Sequence, residues 1–268
     1  MPWIRHLFIV TNGERPFWSD YPEAKWVKAK WVTHKDIFLD RRHLPTYNSM
    51  AIECHLHRIP GLAEHFIYFN DDIMALRPAP RTYWFTPAGD AIVHTTKSHL
   101  GLRYVSPVPT RSAFTGPWAH ARSLLLKEFN KPLDLKMRYL SHQPSACKKS
   151  LFVSAVRKYA AWFNRTSSNH RRRANAIPPI GFVSYRGVFD NQSMLRVEKN
   201  TRYLRLDRSI AAVDKDLAGV LSNSSALILL CLNRKPHGSS ENAVIRRINR
   251  FLRRHLVSMG FTGHLARK

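Results

Sequence analysis

The chain has 268 residues, and 43 basic against 18 acidic side chains give it a net charge of +25. Its length suffices for one α/β domain with a substantial core. The most apolar run, residues 226–232, is far shorter than the ~20 residues that a membrane-spanning helix needs. Three widely spaced cysteines, Cys54, Cys147 and Cys231, match neither a disulfide framework nor a metal-ligand cluster and predict a reducing cytoplasm.

The excess of positive charge predicts attraction to polyanions, which include nucleic acid, an anionic membrane surface and a charged polysaccharide. The basic residues are spread along the chain, with local peaks at residues 170–173 and in the last predicted helix. Charge alone makes nucleic-acid binding a reasonable first hypothesis. No helix-turn-helix, zinc-finger or RNA-binding signature accompanies it, however.

The first predicted elements are a strand over residues 7–10 and a second strand and turn over residues 31–37. A turn, an amphipathic helix, a second turn and a short buried strand follow within residues 44–77. Asn48 or Ser49 is predicted to cap the helix. Its apolar face carries Ile52, Leu56 and Ile59, and Pro60-Gly61 ends it. The aromatic and β-branched residues 66–69 predict the strand.

Asp71 and Asp72 stand where that strand ends, and the carboxyl ends of strands are where α/β proteins bind ligands. Two neighbouring carboxylates repel each other, and a divalent cation removes the conflict and can also neutralise a diphosphate. A solvated acidic turn is the simpler interpretation of the pair taken alone.

The rest of the chain is predicted as loops with short strands over 76–117 and helices over 124–129 and 150–163. A strand follows over 226–233, and an amphipathic helix over 241–257. The apolar face of that last helix has two interpretations. It packs on the domain with its arginines in water, or it anchors the protein to an anionic membrane surface.

Three segments together resemble one known family. VTHKDIF, LPTYNSMAIECHLHRIPGLAEHFIYFNDD and FTPAGD are similar to the second conserved block of the Stealth family. Its members are hexose-1-phosphate transferases, including bacterial capsular-polysaccharide phosphotransferases. The resemblance implies that Asp71 and Asp72 hold Mg²⁺ or Mn²⁺, and that Asn48, His57 and Asn70 help to bind substrate.

Two further segments resemble later blocks of the same family. Residues 142–179 begin with His-x-Pro and carry a basic cluster, as the third block does. The resemblance implies that His142 accepts the acceptor's proton and that Arg172 grips the transferring phosphoryl group, with Asp72 as their catalytic partner. An ordinary loop histidine and a solvated basic loop are the alternatives. Residues 226–233 resemble the strand of the fourth block.

The chain departs from the family pattern at three places. Arg234-Lys235 replaces an acidic pair of the fourth block, Asn175-Ala176 replaces acidic residues of the third, and the first block is missing. Three explanations stay open: a fragment of a longer reading frame, a missing part supplied by a separate polypeptide, or a decayed copy. The last would make the protein an inactive binder of a glycan or a partner.

We therefore predict an α/β fold with a mixed or largely parallel sheet flanked by helices, like nucleotide-sugar transferases but incomplete at its N-terminus. A single domain, residues 1–268, would contain the second block in 1–120, the third in 138–190 and the fourth, with the basic helix, in 224–260. The predicted enzyme transfers a hexose-1-phosphate from a nucleotide-sugar donor to a glycan acceptor in capsule or exopolysaccharide synthesis. It would work in the cytoplasm, peripheral to the inner face of the membrane.

Overall fold

The computed structural model describes residues 1, 3–14, 29–100, 112–223, 226–233 and 241–258. These residues form an α/β protein, as predicted. The strands are β1 (Leu7–Thr11), β2 (Ala29–Thr33), β3 (His65–Tyr68), β4 (Ile73–Ala75), β5 (Ala91–His99), β6 (Arg138–Leu140), β7 (Ser145–Lys148), β8 (Ser193–Val197), β9 (Thr201–Arg205) and β10 (Leu229–Asn233). The helices are α1 (His34–Ile37), α2 (Ser49–Glu53), α3 (Arg81–Trp84), α4 (Thr115–Glu128), α5 (Lys149–Lys158), α6 (Ala160–Ser167), α7 (Pro179–Phe189), α8 (Ile210–Ser222) and α9 (Glu241–Ser258).

The described strands form several small sheets, not one large sheet, and parallel and antiparallel pairs are mixed. The sheets are β1-β2, β4-β10-β9, β3-β7 and β6-β5-β8. Parallel pairing joins β1 to β2, β9 to β10 and β5 to β8. Antiparallel pairing joins β4 to β10, β3 to β7 and β5 to β6. The mixed character agrees with the predicted fold class.

Three apolar clusters lie among the described residues, and the two larger ones support these sheets. The larger one is centred on α7, whose Phe182 and Tyr185 are almost fully buried, and it packs against α2, α4, α5 and α6. The smaller one lies between the β4-β10-β9 sheet and helices α8 and α9. Burying a large apolar side chain contributes roughly 1.5–3 kcal/mol, so these clusters fix the sheets that carry the strand ends.

Several predicted elements differ in detail. The helix expected through Ile59 stops at Glu53, and a separate 3-10 turn covers Leu56–Arg58 before Gly61 takes a left-handed φ of +76°. The helix expected over 150–163 is divided at Tyr159 into α5 and α6. The helix expected over 124–129 is the end of the longer α4. Residues 66–68 are half-buried and Phe69 is exposed, because one edge of β3 has no partner strand among the described residues.

The loop region expected over 76–117 contains the nine-residue strand β5, which lies at the centre of its sheet. Residues 91–95 of β5 are all buried, so they show none of the alternation that marks a half-exposed strand. Helix α3 precedes β5, and residues 101–111 lie outside the described ranges.

Helix α9 packs on the domain. Val244, Ile248 and Phe251 are buried in the smaller cluster, and Arg247 pairs with Asp214 of α8 at 2.8 Å. The apolar face is therefore already occupied, which favours the packed interpretation over insertion of this face into a membrane. Among the described residues, no helix is long and apolar enough to cross a bilayer.

Phe251→Ala is expected to lower the free energy of unfolding by about 3–5 kcal/mol, because it leaves a cavity beneath α9. The matched control is Ile245→Ala on the same helix, where the side chain is 39% exposed. The control is expected to cost less than about 1 kcal/mol. Urea denaturation measures both values, and equal costs would contradict the packing of α9.

Candidate functional site

The candidate site lies at the edge of the β3-β7 sheet where β3 ends and β7 begins. Their antiparallel register places Tyr68 opposite Ser145. Asp72 follows Tyr68 closely in the chain, and His142 comes shortly before Ser145. Asp72 and His142 therefore lie at the same edge of this small sheet. Two segments that are 70 residues apart in sequence meet there.

Asp72 accepts hydrogen bonds from two directions through one oxygen. His142 Nε2 lies 2.9 Å from Asp72 Oδ2, and Asn233 Nδ2 donates to the same oxygen. Partial burial acts to raise the pKa of Asp72, but these hydrogen bonds outweigh it and leave the pKa below its usual value. Asp72 is therefore a carboxylate at neutral pH, and it holds the imidazole of His142 in one orientation.

Asn233 reaches Asp72 because of the alternation along β10. Cys231 and Asn233 project from the same face of this strand, and the Cys231 thiol lies 3.6 Å from Asp72 Oδ2. The amide of Asn233 is oriented from its other side, since the Tyr203 hydroxyl donates to Asn233 Oδ1 at 2.9 Å. The Tyr203 ring also packs edge-on to His142 at a centroid distance of 5.7 Å.

Arg172 is held in a loop that docks on the segment before α2. The backbone N–H of Tyr47 donates to the His170 carbonyl at 3.0 Å, and Asn48 Nδ2 donates to the Asn169 carbonyl at 2.9 Å. Arg172 itself donates to the Ser49 hydroxyl at 2.9 Å. The third-block arginine is thus positioned by second-block residues, and its side chain stays exposed.

Glu53, the last residue of α2, contacts the beginning of α7 and lies near Arg172. It accepts from the Ile180 backbone N–H and from the Tyr68 hydroxyl at 3.3 Å. Burial raises the pKa of Glu53 to about 7, although these hydrogen bonds and the charge of Arg172 oppose the shift. Tyr68 is the last residue of β3. Glu53 therefore links the loop that carries Arg172 with the strand that leads to Asp72.

The other predicted site residues take different places. Asp71 is exposed beside Asp72, and the carbonyl of Asn70 accepts from the Ile73 N–H in the turn between β3 and β4. Asn48 is fully buried and caps α2 through its bond with the Met50 N–H. His57 stacks on Phe152 in the larger apolar cluster, and no contact joins it to Asp72 or Arg172 in the part of the chain that is described.

A buried polar layer lies behind His142 and was not expected from the sequence. Glu198 Oε2 lies 2.6 Å from His94 Nδ1 and accepts from the Tyr83 hydroxyl at 2.7 Å. Gln143, the residue after His142, accepts from the Thr201 hydroxyl at 2.5 Å, and its Oε1 lies 3.4 Å from the Tyr83 hydroxyl oxygen. This layer fixes the backbone that carries His142, and no local sequence pattern predicts it.

Known proteins are similar in sequence to the part of the chain that carries Asp72. Residues 1–93 match the model of Stealth protein CR2, conserved region 2. The chain therefore carries the second conserved region of the Stealth family. The resemblance seen in residues 44–77 is therefore confirmed. The segments that resemble the third and fourth blocks supply His142 and Asn233, which both contact Asp72.

Curated relatives extend the similarity beyond conserved region 2. The chain is 32% identical over 199 residues to capsular polysaccharide phosphotransferase fcs1 of Haemophilus influenzae, which is 74% of this chain and 53% of that protein. It is 38% identical over 201 residues to cps1A of Actinobacillus pleuropneumoniae, again 74% of this chain and 52% of that protein. With exopolysaccharide phosphotransferase CpsY of Mycobacterium tuberculosis the identity is 37% over 169 residues, which are 63% of this chain and 30% of CpsY. The chain thus spans between 30% and 53% of the length of these relatives.

One of the three departures from the Stealth pattern, Asn175-Ala176, lies among the described residues. Asn175 Oδ1 accepts from Asn169 Nδ2 at 3.2 Å, and Ala176 is fully buried beneath the Arg172 loop. These residues therefore fill structural positions in the loop. Arg234 and Lys235 lie outside the described residues.

Glu198→Gln is expected to lower the free energy of unfolding at neutral pH by about 3 kcal/mol, because His94 loses its buried carboxylate. Burial opposes ionisation, yet bonds from His94 and Tyr83 lower the pKa of Glu198 from 4.5 to about 2. The stabilisation is present above pH 4.5 and is lost as the pH falls from 4.5 towards 2. The difference between wild type and variant should shrink over this range in urea titrations. A difference that stays constant over this range would contradict the assignment.

Proposed function

We propose that this protein transfers a hexose-1-phosphate from a nucleotide-sugar donor to a sugar hydroxyl during capsular or exopolysaccharide synthesis. The relatives named above are capsular or exopolysaccharide phosphotransferases, which supports the reaction class. One structural observation carries the proposal. The His142–Asp72 hydrogen bond joins the second and third blocks where β3 ends. Arg172 is held by its bond to Ser49 of the second block.

His142 is the proton acceptor in this proposal. A carboxylate can only accept hydrogen bonds, so Nε2 carries the proton directed at Asp72 and Nδ1 keeps the free lone pair. The side chain of His142 is 42% exposed and can be reached by an acceptor hydroxyl. Asp72 orients the ring and stabilises the imidazolium that forms when Nδ1 takes the proton, as carboxylates do in other histidine pairs.

Proton removal allows the acceptor oxygen to attack the phosphorus nearer the donor's sugar. The new P–O bond makes a phosphodiester, and the bond to the second phosphate breaks and releases a nucleoside monophosphate. Arg172 would stabilise the negative charge that develops on the transferring phosphoryl oxygens. Its bond to Ser49 leaves other N–H groups of the guanidinium for a phosphate.

A divalent cation fits beside this pair. Asp72 Oδ1 is buried and has no hydrogen-bond partner among the described residues, and the Asp71 carboxylate is exposed next to it. Carboxylate oxygens are the ligands that Mg²⁺ and Mn²⁺ prefer. Asp71 and Asp72 would hold the cation, which would neutralise charge on the donor's diphosphate. Asp72 could then serve both partners, with Oδ1 towards the cation and Oδ2 towards His142.

Supporting roles and location complete the proposal. Asn48 and Asn70 shape the loops around the site, and a fold of the nucleotide-sugar-transferase type would present both donor and acceptor to it. The described cysteines are free and buried, as expected in a reducing cytoplasm. Attachment to the inner face of the membrane would rest on basic side chains alone, since the apolar face of α9 is packed.

Asp72→Ala and His142→Gln are each expected to lower the transfer rate by about 10²–10⁴-fold, because the proton acceptor is lost or disoriented. Release of nucleoside monophosphate from nucleotide-sugar donors, with an oligosaccharide acceptor and Mg²⁺ or Mn²⁺, measures the rate. His99→Gln, an exposed histidine at the end of β5, is the control and should keep full activity.

The same assay separates the alternatives. Wild-type protein that binds oligosaccharide but releases no nucleotide would favour an inactive glycan-binding protein. Tight DNA binding that weakens steeply with salt, without any transfer, would favour a nucleic-acid-binding protein.

Arg172→Lys is expected to retain part of the activity that Arg172→Ala loses, because lysine keeps the charge but not the forked donors. The loss in Arg172→Ala should reach about 10²–10³-fold in kcat, with unfolding unchanged since the side chain is exposed. The neighbouring Arg173→Ala provides the control on the same exposed loop. Equal losses in Arg172→Ala and Arg173→Ala would point to the charge of the loop and not to Arg172.

A further inference from the structure

A row of side chains on strand β9 faces the candidate site and has no role in the chemistry above. Thr201, Tyr203 and Arg205 alternate onto one face of this strand. Thr201 bonds to Gln143 and Tyr203 bonds to Asn233. Arg205 pairs in register with Asn233 itself. The row therefore runs along the edge of the site, from the buried layer behind His142 to an arginine beside the Asn233–Asp72 bond.

The other face of β9 is directed away from the site. Leu204 is 1% exposed and belongs to the apolar cluster beneath α8 and α9. Arg202 pairs with Asp216 of α8 at 3.4 Å. One strand thus carries two arginines of similar exposure, with side chains 52% and 48% exposed, on opposite faces. Only Arg205 lies on the side of His142.

Tyr203 and Arg205 are exposed but held in place. The Tyr203 residue is 43% exposed although its hydroxyl is bonded and its ring contacts His142. Asp207 accepts from Arg205 Nε at 3.0 Å and from Nη2 at 2.9 Å. No described residue bonds to Nη1, so this nitrogen keeps two N–H groups for a ligand. A fixed ring and a fixed guanidinium lose little side-chain entropy when they bind one.

We propose that Tyr203 and Arg205 form the subsite for the acceptor, and that the acceptor is an anionic glycan. This inference rests on the proposed function, because it takes His142 as the group that receives the acceptor's proton. The Tyr203 ring touches His142, so a sugar lying on the ring presents its hydroxyl to the imidazole. The donor's diphosphate would lie on the other side, between Asp71, Asp72 and Arg172.

The chemistry of the product agrees with an anionic acceptor. Each transfer makes a phosphodiester, so a chain extended repeatedly by this reaction carries one negative charge per transferred unit. Guanidinium groups bind phosphate through paired N–H donors, and an aromatic ring packs against the apolar face of a sugar. The net charge of +25, which the reaction at one site does not require, would attract such a polymer and speed its encounter.

The test compares two acceptors of equal length, an oligosaccharide of phosphodiester-linked hexoses and a neutral oligosaccharide of the same hexose. Their binding to the full chain is measured by calorimetry without donor, and KM and kcat are measured with donor. Arg205→Gln should weaken binding of the phosphodiester acceptor about tenfold, the value of one charge-assisted hydrogen bond, and leave the neutral acceptor unchanged. Arg202→Gln, on the opposite face, should change neither.

Variants of Tyr203 separate stacking from positioning. Tyr203→Ala should weaken both acceptors equally, since it removes the ring. Tyr203→Phe keeps the ring and should keep acceptor KM within twofold, but kcat should fall because Asn233 loses the hydroxyl that orients it.

The outcomes distinguish this inference from the proposed reaction. Selective loss of the phosphodiester acceptor in Arg205→Gln supports the subsite even if no transfer is detected. Wild-type transfer with equal binding of both acceptors overturns the anionic assignment and leaves the reaction standing. Equal losses in Arg202→Gln and Arg205→Gln overturn the subsite, because they mean that only net charge matters.

Discussion

The pairing of β10 with its two neighbours is the constraint on which the candidate site depends. β10 is antiparallel to β4, which begins directly after Asp72, and parallel to β9, which carries Tyr203. The Leu232 N–H also donates to the Asp72 carbonyl at 2.8 Å. A shift of one residue in this register would turn Asn233 away from Asp72 and place an apolar neighbour there. The smaller apolar cluster, which buries Leu230 on the other face of β10, opposes such a shift.

The surroundings of two carboxylates, Asp72 and Glu53, shift their pKa values in opposite directions. Asp72 has a lowered pKa because donors converge on Oδ2, whereas burial raises the pKa of Glu53 to about 7. Asp72 is therefore always charged under neutral conditions, while Glu53 changes charge near neutrality. Arg172 lies beside Glu53, so a neutral Glu53 leaves the charge of Arg172 uncompensated. Opposed pKa shifts of this kind are characteristic of sites that divide acid and base roles between two groups.

Local features of the sequence predicted local features of the structure. The cap at Asn48 and the helix from Glu241 depend on neighbouring residues, and both are present. The meeting of His142 with Asp72 depends on the register of β3 and β7, which no local pattern encodes. It was expected only because both residues lie in blocks that resemble the same family.

What the sequence did not predict has physical reasons. Helix α7 is the most buried helix of the larger cluster, so its residues lack helical alternation, and Pro178, Pro179 and two glycines resemble a loop. The buried pair of His94 and Glu198 joins strands far apart in the chain. Tyr203 stands among arginines in a segment that resembles a solvated strand, and only its contact with His142 distinguishes it.

The positive charge of the chain is distributed in a way that bears on its use. On α9 the arginines lie opposite an apolar face that is packed on the domain, so the helix offers a membrane surface charge without apolar area. Electrostatic attraction alone is screened within about 8–10 Å at physiological salt and gives no fixed orientation. On β9, by contrast, Arg205 is fixed by Asp207 next to an aromatic ring and the reacting pair. Arginine therefore contributes charge without a fixed partner surface on α9, and on β9 it is held in one orientation beside His142 and Tyr203.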